Sequence, residues 1–403
     1  MDDSSKAFLL TTVFLYSASA AIANIAAGLY ALDISGKTVS LTLAVAAYNA
    51  AFAFSSLVVV PWLESRRSGL FLSVALVTVS ISLALMYLSR SLLEIVLLNA
   101  VYGAAAALVQ PIVLAAASAL EEGSEAVPEI NIASSIGIIT GDTVAAVLAK
   151  ALGVQGLLAL SALIALLSAA TSLKLSWVVG GSKPPLAPST PLVTGRARYS
   201  PPTHVPRNRG ADAGATQIPW RFLAGVLLLF TAISVFFSPM PAYLRDLGFS
   251  DSEIYVLSML SLATSTLVYE VLRRSKLALE KAHLLLVSAA ALRTIIFATP
   301  IPVFSRVLDP GITMPMLYVF VGATWALIST SLPLIALTLE GEAGVGKTNA
   351  FMSIGLVVGS TAASILVHYG GADATCITAS VLALVSALIL SKAKPTSTSP
   401  AQL

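Results

Sequence analysis

Long apolar runs of about 20 residues alternate with short polar breaks along this chain. At a rise of roughly 1.5 Å per residue, a run of that length matches the hydrocarbon thickness of a bilayer. The pattern predicts twelve spanning helices, near 7–32, 39–62, 69–89, 92–119, 131–150, 154–179, 220–244, 252–272, 283–299, 315–339, 349–368 and 372–391. The first run lacks a basic flank and a clear cleavage site, so it is expected to be a retained helix rather than a signal peptide. Residues 180–219 break the rhythm. They are rich in Pro, Gly, Ser and Arg, as in Lys183-Pro-Pro, Ser200-Pro-Pro and Arg207-Asn-Arg-Gly. Such a stretch has too little apolar surface to form a core and reads as a flexible, basic cytoplasmic linker. It divides the chain into a first six-span unit at 1–179 and a second at 220–403.

The two units repeat one another. Asn131-Ile-Ala-Ser-Ser-Ile-Gly-Ile-Ile-Thr-Gly-Asp-Thr returns 218 residues later as Asn349-Ala-Phe-Met-Ser-Ile-Gly-Leu-Val-Val-Gly-Ser-Thr. The shared frame pairs Ser135 with Ser353, Gly137 with Gly355, Gly141 with Gly359 and Thr143 with Thr361. Further matches are Gly103-Ala104 with Gly322-Ala323, Leu120-Glu121 with Leu339-Glu340, Tyr30-Ala-Leu-Asp33 with Tyr243-Leu-Arg-Asp246, Tyr48 with Tyr255, and Arg66-Arg67 with Arg273-Arg274. Matching order and orientation argue for a parallel duplication about an axis along the membrane normal. One position differs in chemistry: Asp142 stands where the second copy has Ser360.

Composition agrees with the pattern. Hydrophobic residues make up 57% of the chain and charged residues 11%, with a mean hydropathy of +0.89; a soluble domain carries about 25% charged residues. The charge distribution orients the spans. With the N-terminus inside, the outer loops receive only Lys37, Arg90, Lys150, Arg245 and Arg306, and Arg293 alone among the basic residues lies within a span. The remaining Lys and Arg are inner, which fits the positive-inside rule and predicts two cytoplasmic termini. The single cysteine, Cys376, allows no intramolecular disulfide and no cysteine zinc cluster.

In these features the chain resembles the major facilitator superfamily of secondary transporters. The Arg-rich turns Glu64-Ser-Arg66-Arg67 and Arg273-Arg274-Ser-Lys276 are similar to degenerate forms of that family's Asp-Arg-x-Gly-Arg-Arg turn. Leu292-Arg293-Thr-Ile-Ile-Phe and Gly322-Ala-Thr-Trp325 resemble its ninth and tenth helices. Gly141-Asp142-Thr-Val-Ala145-Ala146 sits where its fifth helix can carry the Gly-Pro-x-x-Gly-Gly motif of antiporters, with Asp for Pro and Ala for Gly. That departure withholds an inference to drug/proton antiport. The resemblance implies an all-α membrane protein of two pseudo-symmetric six-helix bundles that rock about a central site. It also implies that the first, fourth, seventh and tenth helices line the cavity, and that the ninth is peripheral.

Candidate residues follow from where polarity survives inside apolar runs. Asp142 lies mid-span, where a carboxylate is costly and commonly marks a proton or ion path; it is the expected coupling site, against a structural carboxylate at a helix interface. Arg293 is expected to be a structural intramembrane charge that snorkels or pairs with a carboxylate or carbonyl. Helical spacing puts Asn99, Tyr102 and Gln110 on one face of the fourth span, Ser17, Asn24 and Gly28 on one face of the first, and Tyr318, Gly322, Trp325 and Ser329 on one face of the tenth. Asn24, Asn99, Tyr102, Gln110, Tyr318, Trp325 and Ser329 are therefore expected in a substrate cavity, with interhelical hydrogen bonding as the alternative role. Glu64, Arg66, Arg67, Arg273 and Arg274 are expected at a cytoplasmic gate, with Glu121, Glu122 and Glu340 as possible partners. Pro111, Pro239, Pro241 and Pro333 are expected to kink or break their helices.

One motif is set aside. Gly341-Glu-Ala-Gly-Val-Gly346-Lys347-Thr348 matches the P-loop pattern letter for letter, but that pattern needs a buried strand before it and a parallel sheet around it. Here it sits between two apolar spans. His204, His283 and His368 are scattered, and no catalytic constellation, metal cluster or nucleic-acid signature emerges. The expectation is thus a non-enzymatic, cofactor-free, monomeric transporter of the cell membrane. It would move a small organic solute by alternating access, coupled to protons. An uncoupled facilitator or exchanger, and a receptor or scaffold that has lost transport, are the alternatives.

Overall fold

An apolar segment in lipid can satisfy its backbone only within a helix or a closed barrel, and the apolar runs of this chain fold as helices. The computed structural model describes residues 3–59, 68–120, 126–179, 218–275 and 277–393, with no strand among them. The helices are α1 (Asp3–Ser35), α2 (Thr38–Phe54, extended by a π-helical turn at Ser55–Val59), α3 (Ser68–Leu88), α4 (Leu92–Leu120) and α5 (Ala126–Val179). After residue 217 come α6 (Trp220–Phe237), α7 (Met240–Asp246), α8 (Asp251–Ser275), α9 (Leu277–Ala298), α10 (Pro300–Phe304) and α11 (Pro310–Lys392).

Ten segments of the described residues are long and apolar enough to cross a membrane. Two of them are double length: Ile132–Lys174 has 43 residues and Gly344–Lys392 has 49. Each contains a glycine with left-handed backbone, Gly153 (φ 64°) and Gly371 (φ 65°). An L side chain there meets the carbonyl oxygen, at roughly 1–2 kcal/mol, so glycine is the residue that lets the chain turn. The breaks expected before residues 154 and 372 fall at these two positions. Pro239 divides the predicted seventh span as expected, since α6 ends at Phe237 and α7 begins at Met240. Pro111 and Pro333, in contrast, lie within unbroken helices.

The repeated glycines explain how the helices pack. A Cβ on Gly137 or Gly141 would collide with the carbonyl oxygens of Phe14 and Ala18 on α1. On Gly355 or Gly359 it would collide with those of Leu227 and Thr231 on α6. Gly103 approaches the Tyr48 carbonyl on α2, and Gly322 approaches the Ser261 carbonyl on α8. The same pairs of contacts therefore occur twice, with Phe14, Ala18 and Tyr48 answered by Leu227, Thr231 and Ser261. One hydrogen bond repeats in the same register: Ser168 Oγ donates to the Thr12 carbonyl at 2.8 Å, and Ser386 Oγ to the Gly225 carbonyl at 2.8 Å. This register corrects one sequence match. Tyr48 corresponds to Ser261 rather than Tyr255, because the backbone that accepts a glycine is what the packing preserves.

Hydroxyl pairs join the close-packed helices, as between Ser19 and Ser161 (2.9 Å), Thr12 and Thr171 (2.8 Å), and Ser73 and Ser172 (2.9 Å). Such bonds contribute about 0.6 kcal/mol each on average in membrane bundles, so close glycine and alanine packing carries much of the association. Large apolar side chains point outward instead, including Val147, Leu267 and Ile295, each more than 60% exposed. On a soluble protein this would be an aggregating surface; in a bilayer it faces lipid tails.

Candidate functional site

A cavity of about 470 Å³ lies where α1, α2 and α5 meet α6, α8, α9 and α11. Its walls are largely apolar, with Ile25, Val45, Ile233, Phe237, Val321 and Leu356 among the lining residues. Asn24, Asn49, Ser234, Ser258, Ser261, Tyr318 and Trp325 add polar and aromatic groups. Two charged residues line it, Asp142 and Arg293, and both are 1% exposed.

Asp142 is delivered by the first arm of α5, one residue after the glycine that seats this arm against α1. Its Oδ2 accepts a hydrogen bond from Ser258 Oγ on α8 at 2.8 Å. The next residue, Thr143, donates from Oγ1 to the Ile139 carbonyl of its own helix at 2.7 Å, with Met259 Sδ of α8 3.2 Å away. The carboxylate thus sits on the seam between α5 and α8, which come from different copies of the repeat. In the second copy Ser360 turns its hydroxyl back onto its own helix, donating to the Leu356 carbonyl at 2.8 Å. The polar seam is one-sided.

Arg293 reaches the cavity from α9. Nη2 donates to the Val321 carbonyl at 3.1 Å, and the guanidinium carbon lies 5.6 Å from the ring centres of both Phe237 and Phe297. Nε and Nη1 are buried without a hydrogen-bond partner. Arg293 and Asp142 share the cavity, yet no salt bridge joins them among the described residues. Guanidinium over aromatic faces is favourable by about 0.5–2 kcal/mol, well short of the several kcal/mol that desolvating an ion costs.

A second polar cluster ties the copies together away from the cavity. Arg245, at the end of α7, pairs through Nη1 with Asp33 of α1 and through Nε with Asp251 of α8 at 2.7 Å. Tyr255 donates its hydroxyl to the Ile22 carbonyl of α1 at 2.9 Å.

The expected cavity residues divide. Asn24, Tyr318 and Trp325 line the space, as does Gly28. Tyr102 stands one layer behind, donating to Asn24 Oδ1 at 3.3 Å and packing on Tyr48 with ring centres 5.1 Å apart. Asn99 is spent on the Ala44 carbonyl at 2.8 Å, and Ser17 on Ser134 Oγ at 2.9 Å. Ser329 bonds to Tyr269 and to the Trp325 carbonyl, outside the lining. The side chains of Gln110 and Arg273, and all of Glu64, Arg66, Arg67, Glu121 and Glu122, lie outside the described residues, as does the linker at 180–217. Arg274 is exposed and pairs along its own helix with Glu270 at 2.6 Å. Glu340 pairs with Lys347.

That last pair disposes of the P-loop match. Residues 341–348 are helical within α11, and the lysine that would hold phosphate is turned onto a carboxylate two turns earlier in the same helix. Ser258, Arg245, Asp33 and Asp251 escaped the sequence reading. Ser258 is one serine among several on α8, and only its proximity to Asp142 sets it apart. For Arg245 there was a signal: it is an outer basic residue that follows the Pro239 break and precedes two acids.

A helical membrane protein with a part-polar cavity at the junction of repeated elements has the features of a membrane transporter. The chain belongs to the Major Facilitator Superfamily, whose family model matches residues 8–345. Among solved structures it is similar to the nucleoside transporter NupG (TM-score 0.70, 14% identity, covering 98% of this chain and 99% of that one). It is similar also to the POT family transporter PepTSo (TM-score 0.69, 11% identity, 96% and 97%) and to the human organic anion transporter MFSD10 (TM-score 0.59, 15% identity, 96% and 99%). At these identities the likeness concerns the fold. No curated protein sequence matches the chain.

Proposed function

We propose that this transporter carries a small organic solute through the Asp142 cavity by alternating access, driven by proton uptake and release at Asp142. The observation that carries the reading is a carboxylate, almost fully buried, on the wall of a solute-sized cavity and on the seam between the two copies of the repeat. An ionised carboxylate at membrane depth costs about 2.5–3.5 kcal/mol on insertion scales. Protonation removes that cost and frees Asp142 to let α5 slide past α8. Charge state and helix contact are thereby linked in one residue.

The proposed architecture is twelve crossings in two six-helix bundles, 1–179 and 220–403, joined by a cytoplasmic linker, with both termini cytoplasmic in the plasma membrane. The turns at Gly153 and Gly371 and the repeated glycine contacts support it. In that orientation the Asp33–Arg245–Asp251 cluster is an outer latch, closed in this conformation. Its groups are partly exposed, so it contributes on the order of 0.2–1 kcal/mol per pair. That is enough to bias an equilibrium between outward- and inward-open states and too little to lock it.

The test begins by finding a solute through thermal stabilisation of the purified protein by a metabolite library. Flux is then measured in proteoliposomes with an imposed pH gradient. Asp142→Asn is expected to lose concentrative uptake about tenfold or more while keeping solute counterflow. Full accumulation by the variant would end the coupling role and leave a facilitator in which Asp142 binds or packs. Binding without any flux in the wild type would leave a receptor.

A further inference from the structure

We propose that Arg293 docks a carboxylate group, so that the solute is an organic monocarboxylate with an apolar or aromatic body. The inference rests on the cavity being the transport site. It starts from an imbalance: Arg293 is almost fully buried, lines the cavity, and keeps two guanidinium nitrogens without an acceptor. A buried arginine whose role is structural is normally satisfied by carbonyls or a carboxylate. Here one carbonyl, that of Val321, holds Nη2, and two phenylalanine faces flank the guanidinium. The rings hold the group in place and supply no hydrogen-bond acceptor for Nε or Nη1. Asp142, the other charged residue of the lining, is bonded to Ser258. The guanidinium therefore keeps two desolvated donors in a side chain that lines the cavity, and a small shift of that lining would bring their planar fork to a carboxylate.

The walls say what the carboxylate is attached to. Phe237, Trp325, Ile233 and Leu356 offer apolar and aromatic area, while Tyr318 and Asn24 offer a few directional contacts. Charge count sets the valence. With a proton on Asp142 the described lining carries one positive charge, which a monoanion neutralises and a dianion oversteps. With Asp142 ionised, the protein's own carboxylate competes with the solute for the field of Arg293. Proton and anion would then enter together.

The experiment measures equilibrium binding to the purified full-length protein by titration calorimetry at one pH. It uses carboxylates and their neutral amides in matched pairs: benzoate and benzamide, indole-3-acetate and indole-3-acetamide, octanoate and octanamide. Phenyl phosphate serves as the dianion. In the wild type at least one carboxylate should bind about tenfold more tightly than its amide, and benzoate should bind more tightly than phenyl phosphate. Arg293→Gln should bring the carboxylate-to-amide ratio close to one. Arg293→Lys, which keeps the charge and loses the planar fork, should fall between, and it serves if the glutamine variant does not fold. The proposal is overturned if no carboxylate is preferred to its amide, or if the preference survives in both variants. Preference for phenyl phosphate would overturn the monoanion assignment. Because binding is read without flux, its failure is separable from that of coupling: carboxylate binding without proton-driven uptake would sink coupling alone, and proton-driven uptake of a neutral solute unaffected by Arg293→Gln would sink this inference alone.

Discussion

At Gly141 and Gly359 a single hydrogen in place of a methyl group lets two helices touch, because a Cβ at either would enter the carbonyl oxygen of Ala18 or Thr231. Backbone cannot move aside as a flexible side chain can. Gly141→Ala and Gly359→Ala are each expected to destabilise the protein by about 1–3 kcal/mol, read as a fall in melting temperature in detergent. An unchanged melting temperature for both would remove the glycine seam as a packing device. Lys347 presents the opposite case, a residue conspicuous in sequence and modest in structure. Its pair with Glu340 is half exposed on the lysine side, so Lys347→Ala is expected to change stability by no more than about 1 kcal/mol. No fluorescent nucleotide analogue should bind the wild type; saturable binding that Lys347→Ala abolished would reverse this. At this scale the sequence exposed the charge of Asp142 but not its partner. A serine hydroxyl on an apolar helix looks alike whether it caps its own backbone, as Ser360 does, or meets a carboxylate, as Ser258 does.

Among elements, the decisive features are interruptions. The Pro239 break separates α6 from α7 and lets Arg245 turn toward both Asp33 and Asp251. If that cluster is a latch, Arg245→Ala should favour the conformation open on its side of the membrane. A cysteine at the cavity-lining position 238 (Ser238→Cys) reports this through its reaction with a membrane-impermeant maleimide. The native Cys376 is fully buried and gives little background. Labelling should rise several-fold in the Arg245→Ala background; unchanged labelling would leave the cluster as a static surface pair. Apolar runs made the helices themselves legible and the gaps between runs located the turns at Gly153 and Gly371, while of the prolines Pro239 marked a break and Pro111 and Pro333 did not. The stripes were only half readable: Asn24, Tyr318 and Trp325 face the cavity, while Asn99 and Ser329 on equally regular stripes meet Ala44 and Tyr269 of neighbouring helices. Helical spacing assigns residues to a common face but does not say whether that face meets a helix or a void.

For the whole molecule, the proposed topology of twelve crossings would put the Gly153 and Gly371 turns on the outer face together with Lys37. Single cysteines at Ala151 and Tyr369, both exposed residues beside those turns, should react with an impermeant maleimide from outside in intact cells. A turn reachable only from inside would contradict the topology. The sequence by itself determined that this chain enters a membrane, where most of its apolar segments lie, that its two halves share repeated motifs, and which family it resembles. Those properties live in run length, composition and local repetition, so they can be read one segment at a time. Only the tertiary structure decided which polar groups meet. It brought Asp142 to Ser258, placed Arg293 on the wall of the same cavity with two buried nitrogens unpartnered, joined Arg245 to Asp33, and moved the counterpart of Tyr48 from Tyr255 to Ser261. Each of these depends on how one helix is rotated and raised against another. In this molecule that is set by where backbones approach at glycine, over separations that no local pattern encodes.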